Sequence, residues 1–224
     1  MKRMCMVAAV ALVVAGFAAG KGGGTKGRVE WVDLGLPSGL LWADRNLGAE
    51  KPGDYGDYYA WGETAAKSDY SRGTYRHAKG DQDQLTKYCN DPDYGYNEFV
   101  DTRTILRSED DAATQALGDG VRTPTKDEWE ELLNHTTAKW VMCDDEEGLL
   151  LTSANGNSLF LPAAGYRDGS SLLGAGTGGV YCSSSLNTDG PDDACNFYFY
   201  SDYRHVGSYR RYYDFSVRPV RSAR

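Results

Sequence analysis

The sequence predicts an α+β fold, with two helices near the middle and an antiparallel β-rich C-terminal third. Helix signals cluster between Glu109 and Asn134, and none appears after residue 136. Short apolar runs bounded by Gly, Asn and Pro recur elsewhere. The chain has 224 residues, 41% hydrophobic and 25% charged, which is the make-up of one ordinary folded domain. That excludes a collagen, a disordered tail and a multi-pass membrane protein. A count of 16 Tyr against 6 Phe points to aromatic area that also meets water. The net charge of −8 argues against a nucleic-acid partner, which needs clustered Lys and Arg.

Lys2 and Arg3 give a basic start, Met6 to Ala19 is an apolar run, and small residues follow. Residues 1–20 therefore read as a secretory signal cleaved between Ala18 and Lys21. The run falls short of the ~20 residues of a membrane span, so no span is expected after cleavage. Residues 21–28, with Gly22 to Gly24, read as a flexible leader, and 29–224 as one domain. Export permits disulfides among Cys89, Cys143, Cys182 and Cys195, whose three full pairings stay open. Their spacing fits no zinc pattern, and His77, His135 and His205 lie far apart.

Residues 29–48 predict two short strands around a turn at Pro37-Ser38-Gly39, with Val32, Leu34, Leu36, Leu40 and Trp42 alternating. Residues 64–108 are polar and weakly patterned, as in a long surface insertion. Within it Asp81, Asp83, Asp91 and Asp93 offer the oxygen ligands calcium takes, but the EF-hand spacing is absent, and no cofactor is expected. Glu109 to Leu117 predicts one helix. Thr125 to Asn134 predicts a second, with Thr125 and Glu128 as a capping box and Trp129, Leu132 and Leu133 on one face. A hairpin follows: Leu149 to Thr152, a turn at Asn155-Gly156, and Ser158 to Leu161. Strands are expected within Gly179–Leu186, Ala194–Ser201 and Tyr212–Val220, with 201–211 as a loop and Asp189, Asp192 and Asp193 in a solvated turn.

In Phe197-Tyr198-Phe199-Tyr200 the alternation puts both Phe on one face and both Tyr on the other. The Phe face suits a core. Tyr with interleaved Ser, Asp, Asn and Arg resembles the make-up of an antibody paratope. From Gly148 onward there is no Lys, Glu, Gln, Met or Trp, although all five occur earlier. These five have no codon ending in a pyrimidine, so a segment of randomised NNY codons lacks them.

Several motifs carry a family resemblance: Trp31 to Trp42 (Trp-Val-Asp-Leu-Gly-Leu-Pro-Ser-Gly-Leu-Leu-Trp), Tyr59-Ala60-Trp61-Gly62-Glu63, Arg122 to Glu130, Leu161 to Arg167 and Phe215 to Val220. In this order they resemble the formylglycine-generating-enzyme-like branch of the C-type lectin fold, over roughly residues 29–221. Cys182 departs from the Trp usual at its place in that pattern. Some members of the branch are variable proteins of diversity-generating retroelements, whose 3′ gene ends are rewritten at adenines, so that AAY codons become NNY. Residues 172–214 are similar to such a variable region.

The resemblance implies a surface that binds varied protein or glycan ligands on another cell or a phage. The implied ligand-binding residues are Leu173, Asn196, Tyr198, Tyr200, Asp202, Tyr203, Arg204, His205, Ser208, Tyr209, Arg210 and Tyr213, with Cys195 also among the variable positions. The chain is thus expected to be an exported binder and not an enzyme. One alternative is a structural or adhesive envelope protein without diversification. Another is an oxidase of the formylglycine-generating type, for which Cys182 and Cys195 are the candidate thiols.

Overall fold

The computed structural model describes residues 28–223. The signal at 1–20 and the leader as far as residue 27 lie outside the described residues. Among the described residues, fourteen strands and two α-helices make an α+β, mostly sheet architecture.

A four-stranded sheet holds the first and last strands of the described residues. β1 (Trp31–Asp33) and β2 (Leu40–Ala43) form the predicted hairpin, and Gly39 at φ 66° supplies the turn's left-handed residue. Beyond β2 come β14 (Val220–Ser222) and β4 (Val121–Arg122). A three-stranded antiparallel sheet holds β5 (Thr136–Cys143), β6 (Glu146–Ser153) and β7 (Ser158–Pro162). β6 and β7 are the predicted hairpin; β5 was not anticipated from the sequence.

The third sheet carries the C-terminal region. Its order is β12 (Arg204–Arg210), β11 (Asp193–Tyr200), β10 (Gly178–Leu186), β13 (Asp214–Ser216), β8 (Tyr166–Asp168) and β9 (Ser171–Leu173), and β3 (Tyr58–Ala60) also pairs with β13. Two expectations are corrected here. The 201–211 loop is mostly the edge strand β12, and the single strand expected over 212–220 is two strands in different sheets.

Helix α1 (Ala112–Leu117) starts at Asp111, whose side chain accepts from Ala113 N and Thr114 N. Helix α2 (Lys126–Asn134) carries the predicted capping box at Thr125 and Glu128. Arg122 grips the same Glu128 with two hydrogen bonds of 2.7 and 2.5 Å. Trp129 of α2 stacks on Phe197 at 5.0 Å and meets Trp42 at 4.9 Å, and its indole donates to Cys182 O. Around it lies the main core, with Leu34, Leu151, Leu161, Tyr181, Phe199 and Val220. A second core of Val180, Cys182, Tyr59, Phe215 and Val217 lies on the opposite face of β10, so this strand is buried throughout.

Residues 64–108 are not the surface appendage that their polarity suggested. Tyr70, Tyr75, His77, Leu85, Tyr88 and Cys89 are all buried. Each tyrosine hydroxyl finds a partner: Tyr75 donates to Trp61 O, Tyr88 to Asp110 Oδ2 and Tyr70 to Tyr58 O. Lys87 also closes on Asp110, and this ion pair, with the Tyr88 bond, outweighs burial to hold Asp110 below the usual carboxylate range.

A candidate recognition face on the C-terminal sheet

The register of β11 and β12 decides which side chains can share a face. Tyr198 stands opposite His205, Ala194 opposite Tyr209, and Cys195 opposite Ser208. Directly opposed residues lie on one face, and successive residues alternate. Tyr198, Tyr200, His205 and Tyr209 therefore project together. Phe197 and Phe199 project the other way into the main core, as the alternation predicted.

The predicted binding residues are thus divided. Tyr200 and Tyr203 are 49% exposed, Leu173 39% and Tyr209 38%. Tyr198 and Tyr213 are half-buried beside them, and Asp202 and His205 are exposed. Arg204, Ser208 and Arg210 belong to the opposite face of β12. There Ser208 accepts from Asn187 Nδ2 at 3.3 Å, and Arg210 pairs with Asp192 and Asp193. Asp192 is buried in this pair, which corrects the expectation of a solvated turn. Asn196 is also corrected: it is 0% exposed, sandwiched between Cys182 and Gly207 on the flanking strands. Cys195 is buried as well. Alternation alone places Asn196 on the Tyr side, but that end of β11 is covered: Ala194 on the same face is buried among Trp61, Tyr88 and Leu186.

Exposed and half-buried rings form a continuous run. Tyr203 and Tyr198 have centroids 5.8 Å apart, Tyr198 and Tyr209 6.0 Å, and Tyr209 and Tyr166 6.4 Å. Tyr213 lies 5.7 Å from Tyr166, and Tyr212 lies 4.7 Å from Tyr213. A hydrogen bond with Tyr203, then burial, pushes the Tyr198 phenol up to about 12. Tyr166 and Tyr212 are the members that sequence reasoning missed. Tyr166 sits in a motif that carries the family resemblance, lies directly opposite Leu173 and stacks on Tyr209.

Between these rings runs a shallow groove. Gly165, Gly174, Gly178 and Gly179 floor it, and Tyr166, Tyr198, Tyr200 and Tyr209 wall it. Such a surface offers wide, stiff apolar area with hydroxyls at its rim.

The other candidates fare differently. Cys182 opposes Asn196, so Cys182 and Cys195 project to opposite faces of the sheet. Cys182 Sγ lies near Tyr59 O and Phe215 O, whereas Cys195 Sγ points to Leu186 O. Burial pushes both thiols up. Asp81 is ion-paired with Arg72 at 2.9 Å, and Asp91 caps the turn Pro92–Tyr94. Among the described residues, no group of three or more His, Cys, Asp or Glu gathers as a metal ion requires. Among the same residues, no helix is long and apolar enough to cross a membrane.

Comparison with protein-family models, with curated proteins and with solved structures gives no match for this chain.

Proposed function

We propose that this chain is an exported ligand-binding protein of the C-type lectin fold, formylglycine-generating-enzyme-like branch, whose C-terminal face is diversified by a retroelement. The observation that carries the reading is the sorting of the β11 side chains. Phe197 and Phe199 fill the core, while Tyr198 and Tyr200 join Tyr203 and Tyr209 on an exposed face. A surface can vary freely only if its residues are separate from those that hold the fold. Buried Arg211 and Arg218, by contrast, anchor the scaffold between and after the proposed variable positions. The absence of Lys, Glu, Gln, Met and Trp after residue 147 supports the same reading. The basic start and apolar run support export.

The ligand is a protein or a glycan on another cell or a phage. Tyr200, Tyr203 and Tyr209 supply the contact area, and Asp202 and His205 supply polar contacts at the rim.

Sequencing the 3′ third of the gene and the few kilobases after it, across many cells, tests the reading. The expected result is a near-copy of the 3′ end that differs where the copy has adenine, beside a reverse-transcriptase gene. Absence of both the near-copy and any variation between cells would sink diversification and leave a fixed adhesive envelope protein. In the protein itself, Tyr200→Ala with Tyr203→Ala should leave the melting temperature within a few degrees. Loss of folding would make these rings structural.

A further inference from the structure

Two glycines lie against the tyrosine rings. An ideal β-carbon on Gly178 would stand 2.7 Å from Tyr200 Cδ1 and 2.8 Å from Tyr200 Cε1. One on Gly207 would stand 3.1 Å from Tyr198 Cε1. Gly178 is the direct cross-strand partner of Tyr200, and Gly207 opposes Asn196, one step along the face from Tyr198. Neither glycine has positive φ, so backbone conformation does not demand glycine at either position. At Gly207 the nearest obstacle to a β-carbon is the ring, and at Gly178 the ring crowds it together with Phe199 O. An aromatic side chain laid over a cross-strand glycine covers exposed backbone and gains contact area.

We infer that Gly178 and Gly207 are positioning residues of the recognition face. Lacking a β-carbon, they let the rings at 200 and 198 come close against the strand backbone. They also leave room there for whichever side chain those two positions carry. A face built this way stays level when a large residue replaces a small one, because the space is already open. The inference rests on the reading of this surface as a diversified binding face.

Gly207 gives the cleaner test, because the β-carbon of Gly178 would also meet Phe199 O at 2.7 Å, a backbone atom that cannot swing away. Melting temperatures are compared for the wild type, Gly207→Val, Tyr198→Ala and the double variant. Valine suits a strand intrinsically. In the Tyr198→Ala background, Gly207→Val should therefore hold or raise the melting temperature. With Tyr198 present it should lower it by roughly 3–10 °C, because the ring must leave its seat. The ring resonances of Tyr198 should shift in the Gly207→Val protein. An equal loss in both backgrounds, or failure of both to fold, would show that the backbone needs glycine for its own sake and would overturn the inference. Unmoved Tyr198 resonances would overturn it too. The cycle reads packing alone. It can fail while diversification stands, and a negative gene survey leaves its outcome unchanged.

Discussion

Asp214 is fully buried, and among the described residues neither carboxylate oxygen has a hydrogen-bond partner. Burial pushes its pKa up to about 9, against the pull of Lys67 and Arg167, while Glu63 adds to the rise. The folded protein therefore keeps a proton that the unfolded chain releases near ~3.9. A raised carboxyl pKa gives stability that is whole below the unfolded value and drains away as pH rises through the folded one. Asp214→Asn keeps the neutral shape without that loss. It should match or exceed the wild type at neutral pH and flatten the decline toward about pH 9, read from urea midpoints across pH. A variant clearly less stable than the wild type at mildly alkaline pH would mean that the carboxylate is charged and paired.

At the scale of elements, α2 was the most legible part of the chain. Thr125, Glu128 and the Trp129/Leu132 spacing are local signals, and the helix obeys them. Thr125→Ala should lower stability by about 1 kcal/mol, measured by urea unfolding, because it removes one half of the capping box. The segment 64–108 was misread because its apolar content sits in Tyr rather than Leu or Val. Its burial is made tolerable by hydroxyl partners at Tyr58, Trp61 and Asp110, just outside its two ends. Arg211 ties that segment down. Its guanidinium donates to Lys87 O, Tyr88 O, Pro191 O and Tyr75 Oη, and lies 4.7 Å from the Trp61 ring centre. Arg211→Met strands these buried acceptors and should cost about 3 kcal/mol or more. That corresponds to a fall in melting temperature of roughly 6–12 °C, with faster proteolysis within 64–108. An unchanged melting curve would mean that the segment holds without it. The edge strand β12 escaped notice because Gly207 and a run of polar residues mask its alternation. Its pairing with β11 is what placed His205 and Tyr209 beside Tyr198.

For the molecule as a whole, the balance of strand and helix was legible, and so was the Phe/Tyr sorting of β11. Which candidate residues share a face was not. That depends on register, and a one-residue difference sends a side chain to the other side. Arg204, Ser208 and Arg210 were separated from the Tyr run for that reason. Asn196 was lost because its end of β11 is buried, with Ala194 packed among Trp61, Tyr88 and Leu186. The closing strand β14 lies between β2 and β4, with Val220 facing Trp42. β2 and β14 pair across most of the chain, so β1 and β2 stay incomplete until the long stretch between Trp42 and Val220 is in place. Until then Trp42 and Leu40 lie on an open strand edge, the kind of surface that quality-control proteases and chaperones find. A product broken off anywhere before Val220 leaves that edge unsealed. A strand near residue 220 thus vouches for every stretch of chain between it and β2.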